Sequence, residues 1–385
     1  MKDGSINKNT SVWLDVMRAL AAQAVVFGHL YQLYFFGNHA GPESETASYF
    51  HAFIIYVSRY SHDAVIVFFV LSGYLVGGST VKALRGQYFS WQSFLISRLS
   101  RLWTVLLPCL LLTASIDFVS THYGTGYQIL GNWTSMYPTT WLDENPWSAQ
   151  RFFSNLFFLT RVTAPMFGSN ISLWSLMNEF WYYLMLPAGV IFMTGGAKQR
   201  IIAATILIVT FAVAINLSHG LLLPFFIGFM IWLMGVVAYL IKPTKSLVIS
   251  ALFAVAACSW MWATRAESEI DTTKDILTGI IITCAIIATR IFPTRHLERI
   301  SRFMAGYSFS LYTLHLPLIV MLMSLDPATS LNKPFNGGDL LRFMIYVIIV
   351  NLASIAFWFS FERNTESVKA FAMKLTRTML ATRRP

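Results

Sequence analysis

The feature that most limits what this chain can fold into is a succession of apolar runs, each near the ~20 residues that a helix needs to cross ~30 Å of hydrocarbon. In lipid every backbone N–H and C=O must be paired within the protein, so such runs fold as transmembrane helices. Runs at about 12–36, 62–82, 101–119, 172–194, 200–217, 221–241, 246–264, 275–292, 305–325 and 340–362 predict an all-α, polytopic helix bundle of about ten spans. Composition agrees, because only 12% of the residues are charged, against ~25% in an ordinary soluble domain. The first run, Val12 to Phe36, follows a short N-region as a signal peptide would. It is too long for a cleaved apolar segment and is expected to stay as the first span.

The net charge of +10 does not read as a nucleic-acid surface, because the basic residues sit in short loops between apolar runs. Placing the N-terminus inside puts twenty of the 28 Lys and Arg in inner segments, and seven in outer ones, with Arg18 left inside the first span. The positive-inside rule therefore predicts that N- and C-termini are both cytoplasmic. Residues 1–365 read as one transmembrane domain, and residues 366–385 as a basic cytoplasmic tail lying against anionic lipid headgroups. Cys109, Cys258 and Cys284 lie far apart in apolar runs without CxxC spacing, which suggests small core residues rather than a disulfide framework or a metal site. The loop at about 120–171, with Asn132, Trp133, Tyr137, Pro138, Trp141 and Trp147, either covers a pocket or packs on the bundle. Within it, Arg151 to Leu159 is amphipathic, too short to span, and reads as interfacial.

An ionisable group inside the bilayer costs several kcal/mol unless it is paired, so each is a candidate for function. Arg18 and His29 are eleven residues apart in the first span; at 100° per residue they return to within ~20° of one direction, ~16 Å apart along the axis. One helix face thus carries a cation near the cytoplasmic side and an imidazole in the outer half. The plainer alternative is an Arg18 that snorkels beside Asp15, and a satisfied core histidine. Glu179, in the fourth span (Trp174-Ser-Leu-Met-Asn-Glu179), falls at a depth similar to His29. A carboxylate meeting an imidazole there would suit a general base; a structural glutamate held by Asn178 or indoles is the alternative. Arg98 and Arg101 (Arg-Leu-Ser-Arg), in the second inner loop and the start of span three, share a face that would grip phosphates, although charge topology alone also puts arginines there. The pair Ser72 and Gly73, in Phe68 to Leu75, suggests close helix packing. His315 lies near the midplane two residues before Pro317, where freed carbonyls would line a cavity, and reads as a core or supporting histidine rather than a second base. Glu362, at the inner end of the last span, is either a partner for an inner arginine or a plain helix-end charge.

Taken in order, these segments resemble acyltransferase family 3, the acyl-CoA-dependent membrane O-acyltransferases of surface and secreted carbohydrates. Leu14 to Arg18 with His29 is similar to the family's Arg-x10-His, Phe68 to Leu75 to its Phe-Phe-x-Leu-Ser-Gly, and Arg98 to Arg101 to its Arg-x-x-Arg. Trp174 to Glu179 resembles Trp-Ser-Leu-x-x-Glu, and Tyr307 to Pro317 resembles Tyr-Ser-x-x-Leu-Tyr-x-x-His-x-Pro. Ser97 and Thr104 depart from it, standing where members often have a second arginine and a proline.

The resemblance implies transfer of an acyl group, most commonly acetyl, from cytoplasmic acyl-CoA to a carbohydrate hydroxyl, with acyl-CoA a co-substrate rather than a bound cofactor and with no metal. His29 would be the base, oriented directly or indirectly by Glu179. Arg98 and Arg101 would hold the CoA phosphates, with Arg18 deeper on the same path, and Ser72, Trp174, Ser175, Tyr312, His315 and Glu362 would surround the site. A carbohydrate or lipid-linked sugar, membrane lipids and polysaccharide-assembly proteins would be the partners, and a bacterial inner membrane the location. Some members carry an added extracytoplasmic hydrolase-like domain; the 385 residues hold none, so action alone, with a separate partner, or on a lipid-linked substrate is expected. The competing reading is a transporter or flippase, which also uses intramembrane charges; neither inverted repeats nor paired broken helices are seen in the sequence.

Overall fold

Apolar sequence without water leaves the backbone no partner but itself, and helices are the local answer. The computed structural model describes residues 7–35, 45–58, 60–125, 145–217, 221–241, 255–257, 259, 272–289, 294, 297–326 and 337–381. Among these residues the regular structure is helical, apart from one isolated bridge between Thr160 and Ala164. The helices are α1 (Lys8–Phe35), α2 (Glu45–Ser58), α3 (Ser61–Ser72), α4 (Gly78–Arg85), α5 (Trp91–Tyr123), α6 (Ala149–Leu156) and α7 (Trp174–Thr194). They continue as α8 (Ala197–Ile215), α9 (Leu222–Leu240), α10 (Thr272–Ala288), α11 (Glu298–Gly306), α12 (Ser308–Leu325), α13 (Gly337–Ser360) and α14 (Thr365–Ala381). A π-helical turn, Gly73–Gly77, joins α3 to α4.

Among the described residues, seven helical stretches are long and apolar enough to cross a membrane. The sequence suggests about ten. The predicted span at 172–194 is a helix, but Trp174, Ser175, Asn178 and Glu179 dilute its apolar character. The one at 275–292 forms the 17-residue α10. The one at 246–264 lies largely outside the described residues, as do Cys258 and the loop residues Asn132, Trp133, Tyr137, Pro138 and Trp141. The helix carrying Arg98 and Arg101 begins earlier than the predicted span, at Trp91, where the Ser90 hydroxyl accepts from the Ser93 N–H at 3.4 Å. Both arginines are therefore helical, and neither is in a loop.

The chain forms two compact units. The first takes Met1–Ala21, His62–Tyr88 and Ser175–Ala305. In it α9 packs on the π turn and on α10. The contact with the π turn is made by backbone: a Cβ on Gly73 would lie 1.8 Å from the Trp232 carbonyl oxygen, and one on Gly235 would lie 2.0 Å from the Val70 carbonyl oxygen. Small residues facing each other let membrane helices approach this closely. Charged pairs tie α3 to α10, with Lys274 on Asp63 at 3.0 Å, and His62 on Asp275 at 2.9 Å.

The second unit takes Ala22–Ser61, Phe89–Trp174 and Gly306–Pro385. Here α12 packs on α5 and α13, and α14 and α6 pack on α5. Polar side chains join α1 to α13: the Gln23 amide donates to Asn351 at 2.6 Å, and the Tyr34 hydroxyl to Asp339 at 2.9 Å. Of the segment Arg151 to Leu159, the part up to Leu156 belongs to α6, and its amphipathicity is inverted. Arg151, Ser154 and Asn155 are buried, and Phe153 and Phe157 are exposed. Its polar face is consumed inside, where Asn155 Nδ2 donates to the Arg151 and Pro165 carbonyls and Ser154 Oγ to the Leu159 carbonyl.

Candidate active site

The geometry that most concerns chemistry is a pair of imidazoles within the second unit. His29, on α1, places Nδ1 2.7 Å from Nε2 of His315 on α12. The ring centroids are 5.0 Å apart and the planes differ by only 3°. With centroids so much further apart than the contacting nitrogens, the rings lie edge to edge in one plane rather than face to face. Burial separates the two. His315 is fully buried, whereas His29 keeps part of its surface exposed. On its far side His315 Nδ1 is 2.7 Å from the Tyr312 carbonyl oxygen and 3.2 Å from that of Leu311. Pro317 shapes this helix, since its missing N–H leaves the Thr313 carbonyl without an intrahelical donor. That carbonyl is instead satisfied from other elements: Asn170 Nδ2 donates to it at 2.8 Å and the Cys109 thiol at 3.1 Å.

Glu179 belongs to the first unit, and there it ends a chain of hydrogen bonds. The buried Trp232 indole donates to Ser72 Oγ at 3.1 Å, Ser72 donates to the Tyr183 hydroxyl at 3.3 Å, and Tyr183 donates to Glu179 Oε1 at 2.5 Å. Ser72 and Glu179, more than a hundred positions apart, thus share one network, and Tyr183 is the link. Arg18 sits on α1 eleven residues before His29, half-buried. Ser175 is buried at the start of α7.

The remaining predicted residues lie in the second unit. Trp174 is covered by the Arg161 guanidinium, whose Cζ is 5.5 Å from its ring centroid. Burial pulls the Arg161 guanidinium down to about 10. Tyr312, three residues before His315, donates its hydroxyl to the Ser172 carbonyl at 3.0 Å, holding the turn that leads into Trp174. On α5, Arg98 lies over Phe94 and Arg101 over Phe309, with Cζ 5.9 and 6.0 Å from the ring centroids. Glu362 accepts from the Ser310 N–H at 3.0 Å and the Ser310 hydroxyl at 2.6 Å. It thereby caps the first turn of α12, where orphan N–H groups favour an anion.

A family model described as an acyltransferase domain matches residues 11–360. The chain belongs to acyltransferase family 3. No curated protein and no solved structure matches it. With its apolar helices, membership makes this chain a multi-pass membrane acyltransferase. The match covers every segment that carries His29, Ser72, Arg98, Arg101, Glu179 and His315, and it ends two residues before Glu362.

Four residues of these networks escape a reading of the sequence alone. Tyr183 was within reach, being one helical turn after Glu179. Trp232 was not, since nothing in a run of apolar residues marks which indole needs an acceptor. Asp117 is a buried carboxylate inside a span and is detectable by the same cost that singles out Glu179. It accepts from the Ser169 N–H at 2.8 Å, the Ser169 hydroxyl at 2.5 Å and the Trp147 indole at 3.1 Å. Gly168 beside it has φ +57, and a Cβ there would sit 2.1 Å from Asp117 Oδ2. Only glycine fits both conditions. Asn170 follows, its amide reaching Cys109, Thr113 and the Thr313 carbonyl. These bonds fix the segment entering Trp174 onto α5 and α12.

Proposed function

We propose that this membrane acyltransferase transfers an acyl group, most commonly acetyl, from cytoplasmic acyl-CoA to a hydroxyl of an envelope or secreted carbohydrate, with His29 as general base. The reading adopts about ten spans with both termini cytoplasmic, in a bacterial inner membrane. The observation that carries it is the histidine pair: a half-buried histidine on the first membrane helix, held at 2.7 Å by a fully buried one. A base must be reachable by substrate and fixed in orientation, and this pair combines the two.

In this account the CoA phosphates bind Arg98 and Arg101 through charge-assisted hydrogen bonds, and Arg18 lies further along the path of the pantetheine arm. The acceptor O–H bond breaks as its proton passes to His29 Nε2, and the oxygen attacks the thioester carbonyl. Collapse of the tetrahedral intermediate expels the CoA thiolate, which takes the proton back from His29 and leaves as the thiol. General-base help of this kind is worth ~10²–10⁴-fold. A water-poor site further protects the thioester from hydrolysis. Glu179 is assigned a supporting role on the resemblance of its segment, and its anchoring by Tyr183 suits a carboxylate that must keep one orientation.

The test is mass spectrometry of envelope carbohydrate and glycolipid from cells expressing wild type or His29→Ala at matched membrane levels. A gain of one acyl mass in wild type and none in His29→Ala is expected, and the mass identifies both acyl group and acceptor. No carbohydrate changing mass would overturn the proposed acceptor, and an unchanged mass gain with His29→Ala would overturn His29 as the base.

A further inference from the structure

The tautomer of each imidazole follows from what surrounds it. A carbonyl oxygen only accepts, so the nitrogen against the Tyr312 carbonyl, His315 Nδ1, must carry a proton. A second proton on His315 would put a full positive charge on a fully buried ring in an apolar helix, which is costly without a counter-charge. His315 is therefore neutral and its Nε2 is an acceptor. The nitrogen facing it at 2.7 Å, His29 Nδ1, must then be the donor. A neutral imidazole has one N–H, which leaves His29 Nε2 unprotonated. The coplanar, edge-to-edge rings direct the N–H along the lone pair of its neighbour.

We propose that His315 is the positioning residue of the site: by accepting the His29 Nδ1 proton while its own Nδ1–H is held by the Tyr312 carbonyl, it fixes in His29 the tautomer whose Nε2 takes the substrate proton. This rests on the reading of His29 as the base. A carboxylate does this in other histidine-based sites; here a backbone carbonyl and a second imidazole do, without placing a fixed negative charge against the base. When His29 Nε2 accepts the acceptor's proton, its Nδ1–H⁺ remains bonded to His315 Nε2, and the charge is shared along the pair toward the Tyr312 carbonyl. The proton returns from Nε2 to the departing thiolate, so the pair ends as it began. Tyr312 is doubly fixed, by its hydroxyl on Ser172 and by its place one turn before His315, so its carbonyl is aimed before substrate arrives.

Two measurements on the intact protein test this. In the first, the ¹⁵N resonances of selectively labelled wild type report the His29 tautomer directly. A protonated Nδ1 with an unprotonated Nε2 is expected, and the opposite tautomer overturns the proposal. In the second, acyl transfer is followed in His315→Leu and His315→Gln. The leucine variant offers His29 no acceptor, and its kcat is expected to fall by at least ~10²-fold, with KM for both substrates within about twofold. The glutamine amide oxygen can accept from His29 Nδ1, and is expected to restore most of the rate. Equal losses in both variants, or a loss confined to KM, show a packing role and overturn it. If His29→Ala is inactive while His315→Leu keeps full kcat, the relay is wrong and the acyl-transfer reading stands. If His29→Ala is active, that reading itself fails.

Discussion

Replacing Gly73 by alanine tests how the first unit holds its polar chain together. The added Cβ would sit 1.8 Å from the Trp232 carbonyl oxygen, 1.6 Å short of the 3.4 Å at which ordinary contact begins. The obstacle is backbone and cannot rotate away, so the π turn and α9 must separate by about that amount. Separation of this size opens the 3.1 Å bond from the Trp232 indole to Ser72 beyond hydrogen-bonding range. Overpacking costs about 1–3 kcal/mol, and a hydrogen bond between membrane helices adds ~0.6 kcal/mol. The total is about 2–4 kcal/mol, enough to lower the thermal unfolding midpoint of the detergent-solubilised protein by several degrees. Gly189 is the control, because a Cβ there meets nothing within 4 Å. Its alanine variant should match or slightly exceed wild type, since alanine is the better helix former by ~0.5–1 kcal/mol. A Gly73→Ala protein as stable as Gly189→Ala would refute the reasoning.

Asn170→Ala leaves the Thr313 carbonyl with the Cys109 thiol as its remaining donor in a buried setting, at a cost of about 1–3 kcal/mol; the unfolding midpoint should fall, and an unchanged midpoint counts against the network. Glu362→Gln keeps an acceptor for Ser310 but removes the charge at the α12 N-terminus, worth ~0.3–1 kcal/mol. Hydrogen exchange in the first turn of α12 should rise, and rise more in Glu362→Ala; equal exchange in all three proteins would show that the cap contributes nothing. Arg98→Ala/Arg101→Ala removes charge-assisted bonds worth about 1.5–3 kcal/mol each, so KM for acyl-CoA should rise ~10²-fold or more with kcat largely kept. A double variant with wild-type KM would separate these arginines from the donor.

Much of the fold was legible because lipid leaves few choices. Apolar length gave the helices, and the cost of a buried charge gave His29, Glu179 and Arg18. What the sequence left open was partnership. His29 was expected to look to Glu179, because depth along two spans is all that a sequence offers. Within its own unit each has a partner, His315 for His29 and Tyr183 for Glu179. Pairing depends on how helices rotate about their axes, which apolar periodicity fixes poorly when most faces are apolar. The freed carbonyl at Thr313 was likewise predictable from Pro317, but not its capture by Asn170, which comes from a turn 143 residues earlier. Asp117 needed only the same cost argument as the other buried charges.

The central claim is that His29 carries the acyl-transfer chemistry. Its most direct measurement supplies radiolabelled acetyl-CoA to inside-out membrane vesicles bearing wild type or His29→Ala, and counts label in the extracted glycan and glycolipid. Label that accumulates with wild type and falls by at least ~10²-fold with His29→Ala is the expected result. Equal labelling by the two proteins would contradict it.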